Sequence, residues 1–143
     1  MRALDTNILV YAFIRTSAHH TWASRIVDGL AEGPAPWAIP WPCLHEFLAT
    51  VTNRRLFPDV VATAAQAQVD EWLSSPSVTV LSETPLHAMT LARVMAGSGA
   101  VGARVHDAKV AAICIDHGVT EIITNDRDFL AFEELATAEF EVN

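Results

Sequence analysis

The chain has 143 residues, 51% of them hydrophobic and 18% charged, and a formal net charge of −8. That length suits one domain that buries about two-thirds of its unfolded surface, and the composition excludes a disordered chain. No apolar run reaches the ~18 residues of a membrane helix, and Asp5 interrupts what would be the apolar centre of a signal peptide, so a cytoplasmic protein with no membrane attachment is expected.

In chain order, residues 2–4 read as a short strand running into Asp5. Asp-Thr-Asn is then a helix-start signal for the apolar stretch 7–14. Residues 20–31 carry Trp22, Ile26, Val27 and Leu30 at helical spacing, ended by Gly33-Pro34. Residues 37–39 form a short strand between prolines. Pro42 suits the first turn of the next helix, whose apolar stripe is Leu44, Phe47, Leu48 and Val51. An Ala-rich helix covers 60–73, and Val-Thr-Val-Leu at 78–81 is a strand. Pro85 opens a helix that closes near Gly97, and 98–102 is a Gly-rich loop. Residues 105–117 are helix, stopped by Gly118. Glu-Ile-Ile-Thr at 121–124 is strand, 127–132 a short helical turn and 139–142 a last strand. Strands separated by helices imply a parallel sheet covered on both faces. The expected fold is α/β: one domain over 1–143, with a small central parallel sheet of four or five strands and about seven helices. Cys43 and Cys114 form no Cys-x-x-Cys pair, so two buried thiols are expected, with neither zinc nor a disulfide.

In an open α/β sheet, ligands bind outside the C-terminal ends of the strands. Asp5 directly follows the first strand, and Asp126 follows Thr124 by two residues. Two further acids fall in the first turns of apolar helices, Glu46 after Leu44-His45 and Asp107 after Val105-His106. Glu46 lies about 200° round its helix from Leu44 and Leu48, but beside Pro42 and Phe47, which puts it at the margin of the buried face. Each acid also has a plain structural role open to it: Asp5 as a helix N-cap, Asp107 as a dipole partner, Asp126 as a turn former. Gathered in one place, four carboxylates would raise one another's pKa, and a divalent cation removes that repulsion. Mg²⁺ takes oxygen ligands and keeps several waters, so it needs only one or two direct carboxylates and leaves the others to orient those waters. Such a centre suits phosphoryl transfer, since a bound cation activates water and stabilises charge on the phosphate. A net charge of −8 opposes nucleic-acid binding when taken alone. Bound cations would offset the acids, and Arg15, Arg54, Arg55, Arg104 and Arg127 would form a local positive rim. Arg54-Arg55 follows the helix carrying Glu46 and is the preferred contact for an RNA backbone, with a solvated helix end as the alternative.

Taken together, these residues resemble the PIN-domain family. Met1-Arg-Ala-Leu-Asp-Thr-Asn-Ile-Leu-Val10 resembles its opening motif, and Glu46 in Leu-His-Glu-Phe-Leu its helix acid. His106-Asp107-Ala108, followed by Val110-Ala111-Ala112, resembles its third acid, and Ile123-Thr-Asn-Asp126-Arg-Asp-Phe129 its last motif. The four occur in family order and span nearly the whole chain. The length and the helical insert between the second and third motifs resemble the VapC group of bacterial toxins. The resemblance implies a Mg²⁺- or Mn²⁺-dependent endoribonuclease that cuts structured RNA such as tRNA or rRNA. It also implies the toxin role in a toxin–antitoxin pair, a homodimer, and neutralisation by a VapB-like antitoxin. It assigns metal-binding or water-orienting roles to Asp5, Glu46, Asp107 and Asp126, with Asp5 and Asp126 nearest the metal, Asp107 next, and Glu46 directing the water. Thr6, Asn7 and Thr124 match supporting positions, and Asp128 is a fifth, outer acid or a turn residue.

Lys109 lies about 200° round its helix from Asp107 and is expected in solvent, with a phosphate contact as the alternative. His45 and His106 each precede an acid but point about 100° away from it, so they are not expected as ligands. The four tryptophans are expected in the core or an interface, with base-stacking platforms as the alternative. Three other readings remain open: a PIN-fold nuclease outside any toxin–antitoxin system, a non-catalytic RNA- or protein-binding PIN module, and an aspartyl phosphatase. The last would want an acid at position 7, where Asn7 stands, and a binding module would not need all four acids.

Overall fold

The computed structural model describes residues 1–139. Its strands are β1 (Arg2–Leu4), β2 (Trp37–Pro40), β3 (Val78–Leu81), β4 (Glu121–Thr124) and β5 (Ala136–Glu139). They form one parallel sheet in the order β3-β2-β1-β4-β5. The helices are α1 (Thr6–Phe13), α2 (His20–Glu32), α3 (Trp41–Val51), α4 (Ala62–Leu73), α5 (His87–Ser98) and α6 (Arg104–Asp116), and a 3-10 turn covers Arg127–Ala131. This is the expected α/β architecture, with a fully parallel sheet.

The central strands are apolar on both faces. Leu4, Trp37, Ile39 and Ile122 have no exposed surface, as a parallel sheet sandwiched between helices requires. Helix α6 is buried on most of its circumference, through Ala108, Val110, Ala111, Ala112, Ile113 and Cys114. Its many small side chains let it pack closely against α5 and the sheet. It stops at Gly118, whose φ of 69° is a left-handed conformation that glycine adopts without strain.

The sheet order places the functional residues. From β1 the chain moves outward one way through β2 and β3, then returns to add β4 and β5 on the other side. The order therefore reverses between β1 and β4, and a crevice opens there at the C-terminal ends of the strands. Leu4 is in register with Ile123, so the residues after each strand, Asp5 and the segment from Asn125, emerge side by side.

Several element ends shift by one residue from those read in the sequence, and three boundaries differ for an identifiable local reason. Helix α4 begins at Ala62 and not at residue 60, because Val61 is an extended N-cap whose carbonyl accepts from the N–H groups of Ala64 and Ala65. Helix α5 begins at His87, because Pro85 and Leu86 sit in a turn closed by Thr84, which accepts from the N–H groups of Leu86 and His87. The last strand lies at 136–139; residues 140–142 of the expected 139–142 strand lie outside the described residues. Cys43 and Cys114 are buried free thiols. Among the described residues, no helix is long and apolar enough to cross a membrane.

Phe47 ties α3 to two neighbouring helices. Its ring meets Phe13 of α1 edge-on at 5.5 Å and Trp72 of α4 at 4.9 Å, and it has no exposed surface. Phe47→Ala should cost about 3–5 kcal/mol of stability, from lost burial and the cavity left behind. A urea titration should show the lower midpoint with an unchanged slope.

Candidate active site

Asp5 is the N-cap of α1, with an extended backbone at φ −82° and ψ 161°. Its Oδ1 accepts from the Thr6 N–H at 2.8 Å and its Oδ2 from the Thr124 hydroxyl at 2.7 Å. The same Thr124 oxygen accepts from the Asp126 N–H at 3.0 Å and from Asn7 Nδ2 at 3.4 Å. One buried hydroxyl thus joins the ends of β1 and β4 and the first turn of α1. Asn7 Oδ1 accepts from the Asn125 N–H at 3.3 Å, and Asn125 Nδ2 donates to the Tyr11 hydroxyl at 3.3 Å. Asp126 Oδ1 accepts from the Asp128 N–H at 2.9 Å and so opens the 3-10 turn. The Thr6 hydroxyl donates to Glu46 Oε2 at 3.1 Å and brings α3 to the same place.

The electrostatics follow from this convergence. Burial, helped by the charges of Glu46 and Asp126, lifts the Asp5 carboxyl from its ordinary 3.8 to about 6, against the opposing hydrogen bonds from Thr124 and Thr6. Asp107 also stands at about 6, first because of burial and then because of Asp126, Asp5, Glu46 and Asp128. Acids from four separate segments act on one another here. Asp107, Asp126 and Asp128 each present an oxygen atom within 4.8 Å of the other two. All these donors are carboxylate oxygens, the ligand type that suits Mg²⁺ or Mn²⁺, so the residues fit such an ion. Cys43 Sγ lies 3.8 Å behind Asp5 Oδ1, but burial holds its thiol well above the ordinary range, so no thiolate is offered.

Asp5, Thr6, Asn7, Glu46, Asp107 and Asp126 line one cavity of about 280 Å³. Thr124 is buried behind it, bonded to Asp5. The sequence placed Asp5 and Asp126 nearest a metal. Asp107, Asp126 and Asp128 form the tightest oxygen group among the described residues, while the two Asp5 oxygens accept from Thr6 and Thr124 and the carboxyl still lines the cavity. Asp128 is therefore part of the cluster as well as a turn residue. Glu46 is exposed and not at the margin of the core, because its side of α3 faces the cavity.

Among the arginines, Arg104 stands at the mouth of the acid cluster, its Nη2 paired with Asp128 Oδ1 at 2.9 Å and both side chains about half exposed. Arg15 lines a different cavity, with Phe13, Leu56 and Val61. Arg54, Arg55 and Arg127 are exposed. Lys109 is half-buried in a groove shared with Asp107, where full solvation was expected. Sequence reasoning missed Tyr11 and Thr50, which line the acid cavity. Each follows a recognised residue, Asn7 or Glu46, by four positions and so shares its helix face; that spacing was the available signal.

A PIN-domain family model matches residues 2–135. Ribonuclease VapC37 of Mycobacterium tuberculosis is 36% identical over 134 residues, covering 93% of this chain and 92% of that protein. Ribonuclease VapC33 of the same organism is 31% identical over 132 residues, 92% of each chain. Among solved structures, VapBC2 from Rickettsia felis bound to a promoter DNA fragment aligns over 98% of both chains with a TM-score of 0.71 and 19% identity. The sarcin–ricin loop-cleaving toxin VapC20 of Mycobacterium tuberculosis aligns over 95% of this chain and 99% of that one, with a TM-score of 0.68 and 22% identity. With the acids at the sheet's switch point, and with relatives that align along almost the whole chain, the protein belongs to the PIN-domain family, in its group of VapC ribonucleases.

Proposed function

We propose that the protein is a metal-dependent endoribonuclease and the toxin of a toxin–antitoxin pair. The observation that carries the reading is the cavity where Asp5, Glu46, Asp107 and Asp126 meet, with two of these carboxyls held near pH 6 by burial and mutual repulsion. Carboxylates gathered at such cost to one another are explained by a divalent cation. Asp107, Asp126 and Asp128 would hold it, with Asp5 behind them adding charge and fixing the segment that carries Asp126. When bound, Mg²⁺ or Mn²⁺ supplies Lewis acidity at the phosphate and lowers the pKa of water. Glu46 is exposed on the cavity wall and oriented by Thr6, so its carboxylate can accept a proton from the attacking water. Arg104, held at the mouth by Asp128, can shift its guanidinium to an entering phosphate.

The structured RNA that VapC20 cleaves supports a tRNA or rRNA substrate for this chain. The VapBC complexes among the similar structures support a VapB-like antitoxin as partner. A groove of about 470 Å³ between the end of α1 and the segment before α4 exposes Leu56 and Val61 and suits an apolar antitoxin segment. Leu86 and Met89, three residues apart at the start of α5, are 57% and 70% exposed and suit contact with a second copy, in line with a homodimer.

Three outcomes test this reading. Asp5→Asn and Asp126→Asn should each lower cleavage of total RNA by at least about a hundredfold without loss of helical circular dichroism, and EDTA should do the same to the unaltered protein. Cleavage unaffected by EDTA would exclude the mechanism.

The second outcome concerns pH. The folded-state value of Asp5, about 6, lies above its unfolded 3.8, so the metal-free folded protein binds more protons between these values. Metal-free stability should therefore fall as pH rises from about 4 to 6, by up to ~3 kcal/mol for this carboxyl. Added Mn²⁺ should raise Tm by more at about pH 7.5 than at about pH 5, as differential scanning fluorimetry would show. An equal rise at both pH values would argue against these carboxylates as ligands.

In the third, Leu56→Asp with Val61→Asp should weaken capture of the co-expressed antitoxin by roughly tenfold or more while leaving RNA cleavage intact.

A further inference from the structure

The groove beside the acids has features that the chemistry above leaves unused. It measures about 620 Å³, lies between α3 and α6, and shares Glu46 and Asp107 with the acid cavity. Its lining also includes Trp41, His45, His106 and Lys109, with one further acid, Glu83. Trp41 is 39% exposed, whereas Trp37 and Trp72 are 0% and 5% exposed. An indole left in water forgoes the burial that Trp37 and Trp72 gain. This one is also held in place: the His45 ring stacks on it, with centroids 5.8 Å apart and planes 28° apart. Lys109 is the chain's only lysine, and among the described residues it makes no ion pair, although Asp107 stands two positions before it. Trp41 precedes Glu46 by five residues, roughly 7.5 Å of helix rise, so the indole lies beside the reacting centre and not over it.

We propose that this groove is a nucleotide subsite, in which an unpaired base next to the scissile phosphate stacks on Trp41 and its phosphate pairs with Lys109. The proposal rests on the nuclease reading of the acids and deepens it by naming the substrate segment as single-stranded. A base must leave its helix before it can lie on an indole. Stacking of this kind tolerates any base, so the subsite supplies affinity and placement without sequence choice. A flat aromatic beside a cation, opening onto carboxylates that call for a metal, matches a nucleotide better than an apolar peptide.

The test uses Asp5→Asn protein in Mg²⁺ buffer, which binds without cutting, and a fluorescein-labelled, unpaired 2′-O-methyl oligonucleotide of mixed sequence read by anisotropy. Trp41→Ala should weaken binding roughly fivefold to a hundredfold, and Trp41→Phe should recover most of it. Lys109→Met should weaken binding and lower the slope of log affinity against log salt by about one. The same sequence as a duplex should compete poorly. Should Trp41→Ala fail to fold, the Trp41→Phe and Lys109→Met proteins decide the matter. Unchanged affinity in Trp41→Ala overturns the proposal. A change of oligomeric mass with unchanged affinity also overturns it, and assigns the surface to a second copy of the chain. If the oligonucleotide binds through Trp41 while the unaltered protein cuts no RNA in any divalent metal, the subsite stands and the nuclease reading falls.

Discussion

A buried carboxylate is unfavourable in a folded protein, and Asp5, 7% exposed, is made tolerable by two donors arranged around it. The Thr6 N–H comes from the start of α1, and the Thr124 hydroxyl from the end of β4. Both depend on β1 and β4 lying side by side in register, since only then do the residues after Leu4 and Ile123 meet. The pairing of those two strands is therefore the constraint from which the site follows. Thr124 extends it by accepting from the Asp126 N–H, so the position of one acid sets the position of the next. Burial still wins over these bonds, and the Asp5 carboxyl remains at about 6, above its ordinary 3.8. The fold thus holds the site in a state that a cation would relieve, and the same repulsion that weakens the metal-free protein would give a bound metal its affinity.

The charge of the whole chain can be placed in the same terms. Five of the 17 acids, Asp5, Glu46, Asp107, Asp126 and Asp128, face this crevice, with Arg104 as the cation paired among them. Divalent cations would cancel much of the resulting deficit where a phosphate has to approach. The net charge of −8 is therefore a poor guide to partner. A potential averaged over the surface decides long-range steering, while the local charge beside the metal decides binding.

Much of this was legible in the sequence, because the signals were local. The strands at 78–81 and 121–124 were read with their observed limits, since short β-branched runs bounded by turn residues leave little freedom. Asp5, Glu46, Asp107 and Asp126 stood out as acids interrupting apolar elements or closing strands, and the structure brings all four to one cavity. What was not legible depends on pairs distant in the chain. Arg104 and Asp128 meet because α6 and the 3-10 turn pack together, and no periodicity in either segment indicates the other. The last strand was placed three residues late because Ala-Thr-Ala-Glu carries too little apolar character to mark a strand before pairing with β4 is known.

Trp41 shows the limit from the opposite direction. Composition favours burial for a tryptophan, and Trp37, four residues earlier on β2, obeys the rule with no exposed surface. The difference arises at Pro40, where the chain leaves a strand buried on both faces and enters α3 with its first residues at the helix N-terminus. A helix start beyond the C-terminal end of a central strand projects into the crevice, as the start of α1 does at Asp5. The same geometry that gathers the acids therefore also sets an aromatic side chain beside them. Neither residue type nor spacing could distinguish that indole from a core one; only the order of the strands does.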